Sequence, residues 1–339
     1  MELIEINKIV KHFIPNENVI AFSKNDKGLI NQTFVVSVGK INTKQFILQA
    51  INTAILPLYE KGLENIILIK KELLKTNFVY SFPTPIQDKY ICVDDVVWRM
   101  FPFVEDSICY EKVKDKEQAF EAAKCLGKFY SSLNNFDIKQ LHTTLPNFHN
   151  GNFRLSELDK AINTANTDRL DKANELINSI QNSRNVLHKF DKLNADLPKR
   201  AVHFDAKINN FLFDKITNKA KAIIDLDTLM PGTILSDIGD MIRTFSNTLG
   251  EESENINEVK VDIEIIQNIT DGFLSSCKNI LTNEEKDNLL FSGEAITLLQ
   301  CIRFLTDYLS NDSYYKTNYS EQNFIRAKNQ WALYCSLKG

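Results

Sequence analysis

At 339 residues the chain is longer than one ordinary hydrophobic core supports and calls for two lobes or domains. Its 43% hydrophobic and 25% charged residues fit a soluble globular protein. The net charge of −4, from 40 basic and 44 acidic side chains, argues against nucleic acid or an anionic membrane surface as partner. No run approaches 18 apolar residues, and residues 1–14 carry an acid at position 2 without an apolar core of signal-peptide length. A cytoplasmic protein without a membrane span is expected. The six cysteines (Cys92, Cys109, Cys125, Cys277, Cys301, Cys335) include no Cys-x-x-Cys pair and read as reduced, mostly buried thiols. No structural zinc or iron is expected. Nothing in the pattern fixes an oligomeric state.

The first hundred residues carry strand patterning. Residues 18–23, 32–38 and 45–50 are short, β-branched or aromatic and partly alternating, with turn signals at 24–28 and 39–40. A helix is expected over 59–76, where apolar positions 63, 66, 67, 69, 73 and 74 recur at helical spacing. After a turn containing Pro83 and Pro85, two more strands are expected at 90–93 and 96–104. From about residue 105 helical periodicity dominates, over 114–135, 155–162, 168–193, 235–249, 257–280, 283–309 and 321–337. Thr282-Asn283-Glu284-Glu285 signals a helix start. The only strand signals in this half, 211–213 and 221–225, flank one polar motif.

That motif is His203-x-Asp205-x-Lys207-x-x-Asn210, followed 15 residues later by Asp225 at the end of an apolar strand. Phosphoryl transfer from ATP needs a carboxylate to accept or orient the attacking hydroxyl, and hard oxygen donors to hold Mg²⁺ against the phosphates. Asp205 reads as the base, Asn210 and Asp225 as the Mg²⁺ ligands, and Lys207 as a cation able to reach the transferring phosphate. His203 reads as a loop-holding group rather than a proton carrier. An ATP- and Mg²⁺-dependent kinase of a small molecule follows.

The stretches 203–214 and 224–232, with Asp237-x-x-Asp240-x-x-Arg243, Asn147-Phe148-His149-Asn150 and Arg303 to Tyr314, resemble the aminoglycoside phosphotransferase/choline kinase superfamily. With Phe46 to Asn52 and Trp98 to Val104 they resemble, within it, the N-acetylhexosamine 1-kinase branch; Asp225-Leu226-Asp227-Thr228-x-Met230-Pro231-Gly232 is the most discriminating piece. The resemblance implies an α+β, protein-kinase-like two-lobed fold. Residues 1–103 would form a nucleotide-binding lobe, a small antiparallel sheet with one helix, and 104–339 a mainly helical catalytic and substrate-binding lobe. It implies transfer of phosphate from ATP to the anomeric hydroxyl of N-acetylglucosamine or N-acetylgalactosamine. The alternatives are another small alcohol of the choline, aminoglycoside or homoserine type, or an inactive nucleotide-binding relative.

Residue roles follow in the same terms. Strand alternation would put Asp227 on the same side as Asp225, ready for a sugar hydroxyl. Arg303 and Tyr314 stand where the branch binds sugar, although Arg303 could instead pair with Asp307 at i+4 and Tyr314 could simply pack. Asp237, Asp240 and Arg243 would brace the active-site loop, and His149 would be structural. For the nucleotide, Asn31, Gln32 and Thr33 would meet phosphate, and Met100, Phe101 and Phe103 the adenine, within the backbone run 100–104. Gln49 stands where a kinase presents a third-strand lysine, which leaves open which cation serves the phosphates. No Gly-x-Gly-x-x-Gly or Walker-type loop exists.

Overall fold

The computed structural model describes residues 1–25, 30–39 and 43–339. The turns expected at 24–28 and 39–40 therefore lie partly outside the described residues. A five-stranded antiparallel sheet forms from β1 (Val19–Asn25), β2 (Gln32–Val38), β3 (Lys44–Ala50), β4 (Ile91–Val93) and β5 (Val96–Pro102), in the order β1-β2-β3-β5-β4. Alternation sends Phe34, Val36, Val38, Leu48, Trp98 and Met100 to one face, where they are buried against Ile6, Ile9, Val10 and Phe13. Three of those partners lie on α1 (Leu3–Lys11), a helix absent from the sequence reading and started by a Glu2–Glu5 capping box. The other face carries Thr33, Val35, Ile47, Gln49, Arg99 and Phe101, of which Thr33 and Arg99 are buried.

The helix expected beyond the third strand, α2 (Tyr59–Leu73), forms, but Ile66, Ile69 and Leu73 join the apolar core of the second lobe. After Pro102 the chain re-enters a ladder at β6 (Ser107–Cys109), a strand the sequence did not signal. In the second lobe come α3 (Lys116–Ser132), α4 (Gly151–Thr164), α5 (Thr167–Gln181), α6 (Arg184–Asp196) and β7 (Arg200–Val202). They are followed by β8 (Phe211–Asp214), β9 (Ala220–Ile223), β10 (Met230–Gly232), α7 (Ile234–Phe245) and α8 (Ile263–Cys277). The chain finishes with α9 (Asn283–Asp287), α10 (Leu289–Leu309) and α11 (Gln322–Lys338). β6 pairs with β8 and β8 with β9, while β7 pairs with β10.

Two expected helices are each broken in two. The 168–193 stretch is interrupted at Asn182–Ser183, and 283–309 at Asn288, a short polar residue that competes for backbone hydrogen bonds. The capping box at Thr282 and Glu285 forms as its sequence signals. Among the described residues one helix, α10, is long and apolar enough to cross a membrane, with mean hydropathy 1.3. It is 72% buried inside the protein, as suits the central helix of a core. All six cysteines are unbridged, and only Cys125, Cys277 and Cys301 are buried; Cys92, Cys109 and Cys335 are exposed, contrary to the expected burial.

Candidate active site

The motif from His203 to Asn210 occupies the loop between β7 and β8. Two left-handed residues shape its surroundings, Phe204 at φ 65° and Asp225 at φ 62°. Such backbone is strained for side chains other than glycine and persists where neighbours over-determine it. At Phe204 the determinant is Asp237 on α7, whose carboxylate accepts from the N–H groups of His203 (3.0 Å) and Phe204 (2.7 Å) and from the Tyr130 hydroxyl (2.7 Å). Asp237 is thus the brace its sequence position suggested. Burial pushes its carboxyl up, and those donors and the nearby His203 oppose the push. Gly232 on β10 leaves room for the loop: a Cβ there would meet the Phe204 ring at 2.4 Å. His203 holds its neighbours, with Nε2 2.9 Å from the carbonyl oxygen of Ile224 and its own carbonyl accepting from the Thr228 hydroxyl.

Asp205, Lys207 and Asn210 converge. The Lys207 ammonium lies 2.8 Å from Asp205 Oδ2, and Asn210 Nδ2 donates to Asp205 Oδ2 (2.9 Å) and to its backbone oxygen (2.7 Å). Burial pushes the Asp205 carboxyl up, but Lys207, with smaller help from His203 and Asn210, holds it below the usual carboxylate range. Lys207 is held above its usual range, because Asp205 and Asp225 outweigh the cost of burial. Asp225 sits next to this group, since the Ile224 N–H donates to the Asn210 carbonyl at 2.9 Å. Its side chain is reached by solvent within the cleft and has no hydrogen bond or ion pair among the described residues. The surrounding walls, then the charges of Asp227 and Asp205, push its carboxyl up to about 6. An unpartnered carboxylate, crowded by like charges and beside an amide oxygen that accepts no hydrogen bond, fits a divalent cation with hard oxygen preference.

Asp227 departs from the expected geometry. β9 ends at Ile223, and residues 226–228 form one tight 3₁₀ turn after the left-handed Asp225, so strand alternation does not apply. The turn aims the Asp227 carboxylate at the first sheet. Arg99 grips it with both terminal nitrogens, Nη1 on Oδ1 and Nη2 on Oδ2 (2.7 Å), and Asn31 Nδ2 donates to Oδ2 at 2.8 Å. Asn31 is used twice, because its Oδ1 also accepts from the Asn52 N–H at 3.0 Å.

Arg303 projects from α10 into a group of rings. Its guanidinium lies 4.9 Å from the Phe148 ring centre, 5.5 Å from Tyr315 and 5.9 Å from Tyr314, and donates to Gln300 Oε1 at 3.1 Å. The alternative pairing with Asp307 is absent: that carboxylate accepts from the N–H groups of Tyr314 (2.8 Å) and Tyr315 (2.9 Å), fixing the loop that carries both rings. Tyr314 is 47% exposed and free to meet a ligand. His149 stacks on Phe148 at 4.9 Å, and its Nδ1 is buried without a partner. Burial first, then Arg303, Arg154 and Arg243, hold that ring well below the usual histidine range, so it is neutral.

On the sheet side, cross-strand register aligns two rows on the face away from the sheet's core, with Thr33 and Arg99 buried. Val35, Ile47 and Phe101 form an apolar row; Thr33, Gln49 and Arg99 form a polar one. Met100, expected against the base, has its side chain fully buried on the opposite face, because its position in β5 is out of phase with Phe101. Phe103 continues past the strand, its N–H donating to Gln45 at 3.4 Å. Sequence reading missed Val35, Ile47 and Arg99. The signal was present in the alternation of β2 and β3, where apolar residues also occupy the face away from the core.

A family model described as a phosphotransferase enzyme family, APH, matches residues 22–257, more than half of the chain. This chain belongs to that family. As a member of the phosphotransferase family it is an enzyme that transfers phosphate to hydroxyl groups, and its two-lobed, kinase-like fold agrees with solved structures at low identity. Spectinomycin phosphotransferase APH(9)-Ia, in complex with ADP and spectinomycin, superposes with a TM-score of 0.61 at 13% identity, covering 98% of this chain and 96% of that one. The GDP complex of aminoglycoside 2'-phosphotransferase-IIIa gives 0.62 at 12%, covering 98% and 99%. Choline kinase from Cryptosporidium parvum Iowa II gives 0.56 at 15%, covering 99% and 95%. At these identities the likeness is one of fold.

Proposed function

We propose that this phosphotransferase moves the γ-phosphoryl group of ATP to the anomeric hydroxyl of an N-acetylhexosamine, giving the sugar 1-phosphate and ADP. The observation that carries the reading is the occupant of the aromatic cage beside the catalytic loop. A choline or aminoglycoside kinase must receive a cationic substrate, and rings suit that task. Here Phe148, Tyr314 and Tyr315 already surround the protein's own Arg303, which donates to Gln300 and has no carboxylate partner among the described residues. A further cation would meet like charge there. A neutral sugar with hydroxyl and acetamide oxygens would meet donors.

Residues 1–103 serve the nucleotide in this reading, and 104–339 the sugar and the chemistry. Asp205 orients the anomeric hydroxyl and takes its proton as the sugar oxygen bonds to the γ-phosphorus. The bond from that phosphorus to the bridging oxygen breaks, and ADP leaves with the electron pair. A carboxylate held at low proton affinity by Lys207 suits a loose transition state, in which the proton leaves late. Lys207 offsets charge on the moving phosphoryl group, and Arg303 and Tyr314 hold the sugar. Mg²⁺ bound by Asn210 and Asp225 would neutralise the phosphate oxygens and fix their angle.

The test is a panel of N-acetylgalactosamine, N-acetylglucosamine, galactose, choline and kanamycin, with ADP release coupled to a dehydrogenase and products read by ³¹P NMR. An anomeric phosphate on an N-acetylated sugar is expected. Turnover confined to choline or kanamycin would overturn the sugar assignment and leave the phosphotransferase intact.

A further inference from the structure

We infer that Arg99 and Asn31 are positioning residues for Asp225: by anchoring Asp227 they hold the turn after it, and with it the left-handed backbone of the proposed metal ligand. The inference rests on the reading of Asp225 as that ligand. Left-handed backbone at a residue other than glycine is sparsely populated and persists where its surroundings impose it. At Asp225 (φ 62°) the flanking residues are held by the second lobe and α2. The Ile224 N–H donates to the Asn210 carbonyl at 2.9 Å, and the Ile224 carbonyl lies 2.9 Å from His203 Nε2. Downstream, the Thr228 hydroxyl donates to the His203 carbonyl, and Asn65 Nδ2 on α2 donates to the Leu229 carbonyl at 2.9 Å. Between these anchors, among the described residues, the side-chain hydrogen bonds of residues 225–227 all go to Arg99 on β5 and to Asn31 just before β2.

Arg99 suits this task because it is itself fixed. The residue is 2% exposed, its Nε donates to Gln49 Oε1 (2.9 Å) and its Nη1 to the Tyr90 hydroxyl (3.3 Å), and its guanidinium lies 5.0 Å from the Phe101 ring centre. Gln49 is held in turn, its Nε2 donating to the Thr33 hydroxyl at 3.0 Å. Both ends of the Gln49 amide are thus engaged within the sheet, at the place where a lysine is missing. A guanidinium that meets a carboxylate with two nitrogens sets its angle as well as its distance. Asn31 adds another contact to the same carboxylate, and its Oδ1 ties it back to the Asn52 N–H at 3.0 Å. Asp225 lies two residues upstream, so a peptide rotation that relaxed its φ would have to move Asp227 against these bonds. Charge alone argues for the opposite effect. Asp225 feels the Asp227 carboxylate and the Arg99 cation together, so removing Arg99 would expose a second anion to the metal and tighten its binding. Weaker binding is therefore the mark of lost geometry.

Mn²⁺, a paramagnetic stand-in for Mg²⁺, reports on the site without turnover. Titrated by electron paramagnetic resonance in saturating ADP, Arg99→Met should bind Mn²⁺ about 10- to 100-fold more weakly than wild type, as when a group that orients a metal ligand is removed. Asn31→Ala, which alters no charge, should lose about 3-fold. Hydrogen exchange in the metal-free chain is the second readout. The Leu229 amide, whose bond to the Leu226 carbonyl (3.1 Å) closes the turn, should exchange faster in both variants, while the His203 and Phe204 amides, held by Asp237, stay as in wild type. Unchanged or tighter Mn²⁺ binding in Arg99→Met would overturn the inference, as would Leu229 exchange that rises no more than that of His203 and Phe204. Should Arg99→Met fail to melt cooperatively, Asn31→Ala decides by the same two readouts. Wild-type Mn²⁺ affinity in Asp225→Asn would sink the metal reading instead, and the Leu229 amide would then decide alone whether the sheet holds the turn.

Discussion

The two walls of the cleft are held in different ways. The catalytic loop is braced from within its own lobe, by a single buried carboxylate that takes three hydrogen bonds and by a glycine that clears space for Phe204. The opposing wall, on the first sheet, satisfies its polar groups by reaching across the cleft, Arg99 and Asn31 both ending on Asp227. The loop is preorganised for chemistry whether or not a ligand is present. The sheet wall is ordered by the other lobe.

Substitutions can break or sharpen this contrast. Asp205→Asn removes the proposed base and leaves the brace and the sheet wall untouched, so kcat should fall by about 10³-fold with Mg·ADP affinity and melting temperature near wild type. A steady-state assay beside a titration would expose any loss of binding, which would mean that the two walls are not separable. Asp237→Ala should cost about 3 kcal/mol or more in urea unfolding, because two backbone N–H groups and the Tyr130 hydroxyl lose their acceptor in a buried site. Titration of Asp225 gives the next effect. Its carboxyl is raised, so in the metal-free fold the charged form is lost as pH falls through about 6, where an ordinary carboxylate would still be ionised. A proton then competes with the cation, and Mg²⁺ affinity should drop about tenfold per pH unit below that point, after correction for the nucleotide's own protonation. Constant affinity down to pH 5 would show that Asp225 is not a ligand. The smallest effect is expected on the sheet wall: Asn31→Ala removes one of several bonds to Asp227 and should cost about 1 kcal/mol by denaturant melting.

How much of this was legible in the sequence depended on whether the signal was local. The loop 203–210 and Asp225 could be read because spacing along the chain sets their chemistry, and the helices because periodicity records burial. Asp227 was misjudged in geometry because Ile224-Asp225-Leu226-Asp227 looks like a strand, and nothing in those letters announces a left-handed residue at 225. The partnership of Arg99 with Asp227 joins positions 128 apart, and the burial of Met100 depends on the phase of one strand. The first helix went unread because its apolar residues become meaningful only once a sheet face exists to cover them.

The short crossing from β5 to β6 has a mechanical consequence. Residues 103–106 are all that separates the first sheet from a strand stitched to β8, which begins immediately after Asn210. Any rocking of the sheet about this crossing has its fulcrum beside Asn210, one of the proposed metal ligands. The outer rim of the cleft then sweeps the widest arc, and the backbone that carries Asn210 the narrowest.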